Sequence, residues 1–313
     1  MKNALIIGAS SLGGTIANRL TEQNLSYTIA TRSGTISSYY WKTRLPAANV
    51  IQADLLSSTT NIEALKNIDV IFFTAAPKYW LWQEELEIMV QSGLDLARKL
   101  NAVFVYADNL YAYGEPVTTL TETTGLDAKS RKGRARKAAL ERINDSHVSG
   151  AVQAAVVQAS DFYGPSVEIS MLGKDLFTAA LAGKTVYLLG KTDKQHSFTY
   201  IEDFADAMIQ VSTASDSYGE VWIAPTSEPI SVDTFLDKLS KQIGQPIAKK
   251  VAPKLIFYIL GLNNKPIKEL REVYYLYNED FIVSSEKFIN KFQAKATPVD
   301  RGIEAAIASY KES

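Results

Sequence analysis

The chain has 313 residues, 46% of them hydrophobic and 21% charged, and its formal net charge at pH 7 is −1. This length can bury a full core, whereas the small net charge argues against electrostatic capture of nucleic acid or an anionic membrane. With no cysteine and only two histidines, disulfides and thiolate chemistry are excluded and a histidine-rich metal site is disfavoured. No apolar run approaches the roughly 20 residues that span a bilayer, and the run before Gly8 is too short for a secretory signal. We expect a cytoplasmic globular protein without a metal.

Short apolar strands alternate with helical patterns in the first half of the chain. The predicted strands are residues 4–7, 26–32, 49–55, 69–77, 102–109 and 151–160, and the longest predicted helices are 86–100 and 129–146. Near-continuous apolar strands separated by helices are typical of a parallel sheet buried on both faces. The prediction is therefore an α/β fold with a doubly wound (Rossmann) parallel sheet.

Helical patterns dominate after Pro165. The predicted helices are residues 174–182, 202–214, 231–244, 253–261 and 266–277, with short strands at 186–189 and 220–223. We expect a dinucleotide-binding domain over 1–165, with returning segments at about 195–225. A smaller, mostly helical substrate-binding region is expected over 166–194 and 226–313.

A glycine-rich turn follows the first predicted strand. It contains Gly8, Gly13 and Gly14, and from Ile16 onward apolar residues recur at helical spacing. Backbone N–H groups and the helix dipole at such a turn favour a bound phosphate. Because the turn opens a series of strand–helix units, it predicts a dinucleotide site. An ordinary strand–helix turn without a ligand is the alternative.

The end of the second predicted strand indicates which dinucleotide binds. A carboxylate there would accept a hydrogen bond from the ribose 2′-hydroxyl of NAD, whereas an arginine accommodates the 2′-phosphate of NADP. The chain has Thr31-Arg32-Ser33 and no carboxylate nearby. Arg32 suits a phosphate and Ser33 adds a hydroxyl. NADP(H) is therefore favoured, with NAD as the alternative if Arg32 is only a solvated surface residue.

Several motifs, in order along the chain, resemble those of the extended short-chain dehydrogenase/reductase family, of the NAD-dependent epimerase/dehydratase type. The glycine turn matches the family loop G-x-x-G-x-x-G, with Ser11 in place of the middle glycine. The later matches are Asp54, Thr74-Ala75-Ala76, Tyr113-Gly114, Phe162-Tyr163-Gly164-Pro165 and the segment 198–203. With Arg32 and Ser33, the expected cofactor-binding residues are Gly8, Ser10, Ser11, Leu12, Gly14, Asp54, Leu55, Thr74, Ala75, Ala76 and Arg136.

The catalytic motif of the family is altered. Family members carry Tyr-x-x-x-Lys on the helix after the fifth strand, and this spacing places both side chains on one helical face. Here that helix reads KSRKGRARKAALE, with Lys132 at the tyrosine position and Arg136 at the lysine position. No tyrosine lies between Tyr113 and Tyr163. We infer that the usual proton transfer is lost, while Arg136 keeps the ability to bond a ribose or a phosphate.

Two further positions differ from the family pattern. Asn109 replaces a Ser or Thr, and His196 stands where nucleotide-sugar enzymes commonly carry an arginine, which argues against a diphosphate-sugar substrate. We expect Tyr111 to replace the lost acid/base, with Lys132 stabilising its phenolate. Asn109 would donate an amide hydrogen bond to a substrate carbonyl. The alternatives are that Tyr111 packs the cleft wall and that Asn109 caps a turn.

Two other patterns are ambiguous. Asp161 and Asp203 are candidates for a carboxylate pair, although capping of a helix explains Asp203 equally well. The basic run from Lys129 to Lys137 suits phosphates, but it lacks interleaved aromatic residues in a chain with net negative charge. Nucleic-acid binding is therefore not expected.

The expected function is that of an NADP(H)-dependent oxidoreductase or epimerase-like enzyme acting on a small carbonyl or hydroxyl compound. Its partners would be small molecules, neither nucleic acid nor a membrane, and it would be a monomer or a homodimer. Because both positions of the catalytic pair are changed, the alternative is a non-catalytic NADP(H)-binding sensor or interaction protein.

Overall fold

The computed structural model describes residues 1–57, 65–115, 118–252, 254 and 265–312. The chain divides into two compact units. Unit 1 comprises Met1–Asn109, Arg134–Gln158 and Phe204–Trp222, and unit 2 comprises Leu110–Gly133, Ala159–Asp203 and Ile223–Ser313. Within the described ranges, no helix is long and apolar enough to cross a membrane.

The described residues form eleven strands. They are β1 (Asn3–Ile7), β2 (Ser26–Thr31), β3 (Asn49–Gln52), β4 (Val70–Phe73), β5 (Val103–Asn109), β6 (Ala154–Ala159), β7 (Phe162–Tyr163), β8 (Val186–Leu189), β9 (Thr199–Tyr200), β10 (Val221–Ile223) and β11 (Lys249–Ala252). The α-helices are α1 (Ser11–Glu22), α2 (Tyr39–Arg44), α3 (Trp82–Leu100), α4 (Arg131–Val148), α5 (Lys174–Leu181), α6 (Ile201–Thr213), α7 (Val232–Ile243), α8 (Lys265–Leu270), α9 (Glu286–Phe292) and α10 (Val299–Lys311).

Seven strands form one sheet in the order β10-β6-β5-β4-β1-β2-β3. The pairings of β1 with β2 and with β4 are parallel, with Ile6 opposite both Ile29 and Phe72. Every residue of β4 and of β6 is buried. Because successive side chains of a strand point to opposite faces, this sheet is covered on both sides. The predicted doubly wound α/β sheet is confirmed.

Three predicted strands are shorter in the structure by three residues or more. The strand predicted at 69–77 ends at Phe73. The other two are shortened for local reasons. The strand predicted at 49–55 ends at Gln52 because the chain turns at Asp54, whose Oδ1 accepts a hydrogen bond from the N–H of Leu56 at 3.1 Å. The strand predicted at 151–160 begins at Ala154. The N–H groups of Ala151 and Val152 instead donate to the carbonyl of Ser146 near the end of α4.

Helix α3 illustrates how the amphipathic pattern is used in unit 1. Its buried residues recur at helical spacing and include Leu86, Val90 and Leu94. A Cβ at Gly93 would lie only 2.6 Å from the ring of Phe73 on β4, so glycine lets the helix approach the sheet closely. The helix ends at Asn101, which adopts the left-handed conformation that terminates many helices.

Among its described residues, unit 2 contains two hydrophobic clusters. In the larger one, Phe177 of α5 and Phe235 of α7 are fully buried together with Ile303 of α10. The smaller one includes Leu120 and Phe281, with Tyr111, Tyr275 and Tyr277 packed against its edge. Strands β8 and β11 form a separate parallel pair, as do β7 and β9.

Two of the helices predicted in the second half need comment. The helix predicted at 253–261 lies outside the described residues, apart from Lys254. The helix predicted at 266–277 is divided between α8 and a 3₁₀ helix, Arg271–Tyr277, with non-helical backbone angles at Val273.

Candidate cofactor and substrate sites

The glycine turn between β1 and α1 is packed so tightly that it excludes side chains. Gly8 has a φ of +102°, and a Cβ at Gly13 would lie 2.0 Å from the carbonyl oxygen of Gly8. The Thr74 hydroxyl, which follows β4, donates to the carbonyl of Ile7 at 3.0 Å. Helix α1 begins at Ser11 and has no acidic residue in its first turn. The residues present therefore suit a phosphate at the start of this helix.

Trp41 of α2 lies beside this turn and was not predicted. A Cβ at Gly14 would lie 2.4 Å from three atoms of the indole, so the ring fits there only because Gly14 has no side chain. Trp41 is 3% exposed, and its Nε1 has no hydrogen-bond partner among the described residues. No signal in the sequence relates Trp41 to Gly14, because the two belong to different elements.

The other predicted cofactor residues of unit 1 follow the strands. Arg32 and Ser33 are exposed after β2, and the Ser33 hydroxyl lies 3.0 Å from that of Thr35. Asp54 is half-buried and Leu55 buried after β3. Ser10, exposed, and Leu12, buried, flank Ser11 at the start of α1, while Ala75 and Ala76 follow Thr74. The structure brings Thr74 and Ala75 to Gly8, since a Cβ there would lie 3.1 Å from both.

Arg136, predicted to contact the cofactor ribose or phosphate, belongs to a buried network in unit 1. Its Nη1 donates to Asp108 Oδ1 at 3.0 Å and to the Tyr106 hydroxyl at 2.7 Å. The guanidinium lies 4.1 Å from the ring centroid of Trp82, and Gln158 donates to the second Asp108 oxygen at 3.0 Å. Burial raises the pKa of Asp108, although the charge of Arg136 opposes this. A cofactor role for Arg136 stays a prediction.

Lys132, at the family's tyrosine position, belongs to an ion-pair network in unit 2. Its side chain is 3% exposed, and its Nζ pairs with the carboxylate of Glu269. The neighbouring Arg131 pairs with Glu272 and with Glu269. Burial alone would raise the pKa of Glu272, but the hydrogen bond and charge of Arg131 lower it. These partners are about 140 residues apart in the sequence, which contains no signal for the pairing.

Asn109 and Tyr111 follow one another at the end of β5. Asn109 is the last residue of that strand, and its backbone N–H bonds the buried Asp108 carboxylate. Tyr111 begins a 3₁₀ helix and is partly buried. A Cβ at Gly133 would lie 2.4 Å from the carbonyl oxygen of Tyr111, so the start of α4 closely approaches this backbone. Tyr111 and Lys132 belong to the same unit, and Gly133, the residue after Lys132, packs against the backbone of Tyr111.

The match to known proteins decides the family. The model of the NAD dependent epimerase/dehydratase family matches residues 4–224. The chain belongs to this family. Membership makes it an NAD(P)-dependent, epimerase-like enzyme. No curated protein sequence matches the chain.

Solved structures of three epimerases share the fold. UDP-glucuronic acid 4-epimerase from Bacillus cereus, in complex with NAD, is 16% identical with a TM-score of 0.76. UDP-glucose 4-epimerase from Thermus thermophilus, also with NAD, is 16% identical with a TM-score of 0.79. UDP-glucose 4-epimerase from Thermotoga maritima, with UDP-glucose, is 15% identical with a TM-score of 0.78. Each comparison covers 99% of both chains. At these identities the likeness shows the fold alone.

The two acidic candidates of this family member have separate partners in unit 2. Both oxygens of Asp203, in the first turn of α6, accept hydrogen bonds from Thr297, from its N–H and its hydroxyl, each at 2.7 Å. Asp161, between β6 and β7, instead faces His196, whose Nε2 is 3.3 Å from Asp161 Oδ2. Asp203 therefore serves to hold the chain before α10, while Asp161 and His196 form a pair that was not predicted.

Proposed function

We propose that this protein is an NADP(H)-dependent oxidoreductase or epimerase-like enzyme that acts on a small carbonyl or hydroxyl compound. The observation that carries the proposal is the glycine turn, which is too tightly packed for a Cβ at Gly13 and opens directly into α1. A bound nicotinamide dinucleotide supplies hydride transfer. Two of the residues proposed to act on the substrate, Tyr111 and Lys132, belong to unit 2.

The preference for NADP(H) rests on Arg32. This side chain is exposed directly after β2, next to the exposed hydroxyl of Ser33. A guanidinium binds a phosphate through two parallel hydrogen bonds, and a serine hydroxyl adds another donor. A carboxylate at this position would instead favour NAD. Asp54, Leu55 and Thr74 remain the predicted residues for the adenine and the neighbouring part of the cofactor.

Three residues are proposed to act on the substrate. Tyr111 would give its phenolic proton to the carbonyl oxygen during reduction and take it back during oxidation. Asn109 would donate an amide hydrogen bond to the same oxygen. The positive charge of Lys132 would favour the phenolate of Tyr111. Because Glu269 pairs with Lys132, this effect would be weaker than that of an unpaired lysine.

Titration with both cofactors tests the preference. We expect Arg32→Ala to weaken NADPH binding about tenfold, as expected for one lost charged hydrogen bond, and to leave NADH binding unchanged. Arg301→Ala is the matched control, since the Arg301 side chain is 76% exposed and pairs with Glu304 on the same helix. Equal affinity of the unmodified protein for NADH and NADPH would contradict the proposed role of Arg32.

Single-turnover hydride transfer tests the chemistry. The protein loaded with NADPH is mixed with a panel of aldehydes and ketones, and oxidation of the cofactor is followed by absorbance. We expect Tyr111→Phe to reduce the rate by a factor of about 100 or more, while Tyr187→Phe, at an exposed position, has no effect. Full activity of Tyr111→Phe would refute Tyr111 as the acid/base. No oxidation with any compound, despite tight NADPH binding, would favour a cofactor-binding sensor.

A further inference from the structure

In unit 2, a histidine stacked against two aromatic rings lies next to the carboxylate of Asp161. The imidazole of His196 lies between the rings of Phe198 and Phe281, with centroid distances of 4.6 and 5.4 Å. The ring of Tyr275 is tilted by 39° relative to that of Phe281, with the two centroids 6.5 Å apart. The Nε2 of His196 is 3.3 Å from Asp161 Oδ2. We call Asp161, His196, Tyr275 and Tyr277 the Asp161 cluster.

The cluster has one open side. The side chain of His196 is 4% exposed, whereas that of Asp161 is 25% exposed. The backbone of His196 forms β-bridges to Ile230 and to Phe281, and these fix its position. A buried ring in a fixed position therefore lies beside one oxygen of Asp161, and the Asp161 side chain remains partly exposed. A ligand that reaches this carboxylate must donate hydrogen bonds, since an ionised carboxylate only accepts them.

The charges at the cluster are negative. Burial raises the pKa of the Tyr275 phenol, and the charges that add to this effect are the carboxylates of Glu115 and Asp161. Burial also raises the pKa of Tyr277, with further contributions from Asp161 and Tyr111. An anionic group would be repelled by this field, while a cation would be attracted.

The chemistry of the walls also suits a cation. Tyr275 and Tyr277 are partly buried aromatic side chains, and aromatic faces attract ammonium groups. The Tyr275 hydroxyl is buried and has no hydrogen-bond partner within the described residues. A phenolic oxygen can accept a hydrogen bond from an ammonium group.

We propose that the Asp161 cluster binds a protonated amine, so that the substrate of this enzyme is a small amine-bearing hydroxyl or carbonyl compound. That the amine belongs to the substrate rests on the proposed function. Binding of the amine itself is a property of unit 2, which contains every residue of the cluster.

Three fragments of similar size but different charge test the proposal: ethanolamine, ethylene glycol and glycolate. Binding to the full-length protein is measured by saturation-transfer NMR at pH 8. We expect ethanolamine to bind about tenfold more tightly than ethylene glycol, and glycolate to bind most weakly. Equal binding of the three, preferred binding of glycolate, or no detectable binding of ethanolamine would overturn the proposal.

Variants assign the effect to the cluster. Asp161→Asn keeps the shape and removes the charge, and we expect it to abolish the tenfold preference for ethanolamine. Asp193→Asn, at an exposed position of the same unit, is the control for a general loss of negative charge. Tyr275→Phe leaves Asp161 and its contact with His196 in place, and we expect it to weaken ethanolamine severalfold. An unchanged preference in both cluster variants would overturn the proposal. If Asp161→Asn folds poorly, unchanged ethanolamine binding by Tyr275→Phe would overturn it.

A separate titration with NADPH distinguishes the two proposals. Loss of the charge preference with normal NADPH binding rejects only the amine site. Normal discrimination among the fragments without NADPH binding rejects the proposed enzyme function and leaves the amine site standing.

Discussion

The glycine turn and the start of α4 were both predicted to contact the cofactor or the substrate, and they differ in what defines them. The turn is defined by backbone, because Gly8 has a positive φ and Gly13 leaves no space for a Cβ. The start of α4 is defined by side chains, because Lys132 pairs with the partly buried Glu269 and Arg136 with the fully buried Asp108. A site made from backbone groups survives changes in side-chain identity, whereas a catalytic pair does not.

The carboxylates that hold α4 explain why two cations are tolerated in buried positions. A buried charge without a partner is very costly, so Lys132 and Arg136 require Glu269 and Asp108. The altered positions are therefore integrated into the protein interior. Whether they also act on ligands is separable from this structural role, and variants in the two regions can separate them.

The largest effect is expected at the buried pair of Arg136 and Asp108. Arg136→Met leaves Asp108, whose side chain is fully buried, without its positive partner. We expect the free energy of unfolding to fall by about 3–5 kcal/mol, as for other broken buried ion pairs. Urea denaturation followed by circular dichroism measures this loss. Arg134→Met on the exposed side of the same helix is the control, with an expected change below about 0.5 kcal/mol.

A second variant separates charge from packing. If the loss comes from the unpaired carboxylate, Asp108→Leu combined with Arg136→Met should recover most of the stability, because an apolar pair can replace a buried ion pair. A double variant as unstable as Arg136→Met alone would show that the hydrogen bonds of Asp108 to other groups matter more.

A smaller effect is expected from Gly13→Ala in the glycine turn. The new methyl group would lie 2.0 Å from the Gly8 carbonyl oxygen, so the backbone must shift. We expect a loss of about 1–3 kcal/mol of stability, together with loss of NADPH binding, measured by denaturation and by fluorescence titration. Gly125→Ala is the matched control, since a Cβ there meets nothing within 4 Å. Normal NADPH binding by Gly13→Ala would contradict a cofactor site defined by this backbone.

The sequence predicted those parts of the molecule that depend on local patterns. The strands of the sheet and α3 have clear apolar periodicity, and the family loop of residues 8–14 is contiguous, so the fold and the turn could be predicted. Strand ends were less accurate, because side-chain turns such as that at Asp54 and helix-end bonds such as that to Ser146 override β propensity.

The side-chain networks could not be predicted, because they join residues that are distant in the sequence. Asp108 is a buried carboxylate near the end of β5, and nothing local indicates that its partner is Arg136, 28 residues later. Lys132 and Glu269 are 137 residues apart. Asp161 was considered with Asp203, yet its structural neighbour is His196. Such pairings follow from topology, which only the three-dimensional arrangement provides.

The smallest effect is expected at the partly exposed ion pair of Arg131 and Glu272. Glu272→Gln removes the charge but keeps the shape, and we expect a loss of about 1 kcal/mol at pH 7. Because the pKa of Glu272 is lower in the folded protein than its ordinary value, the stabilisation is complete above that ordinary value. It is lost as the pH falls through the lower folded value, where protonation neutralises the carboxylate.

Urea denaturation at a series of pH values between 7 and about 3 measures this dependence. The stability difference between Glu272→Gln and the unmodified protein should stay constant down to about pH 4.5 and then shrink. Glu304→Gln is the control, since Glu304 pairs with Arg301 on an exposed helix surface and its side chain is 64% exposed. A difference for Glu272→Gln that does not shrink in acid would mean that the carboxylate charge is not what joins the start of α4 to residues 269–272.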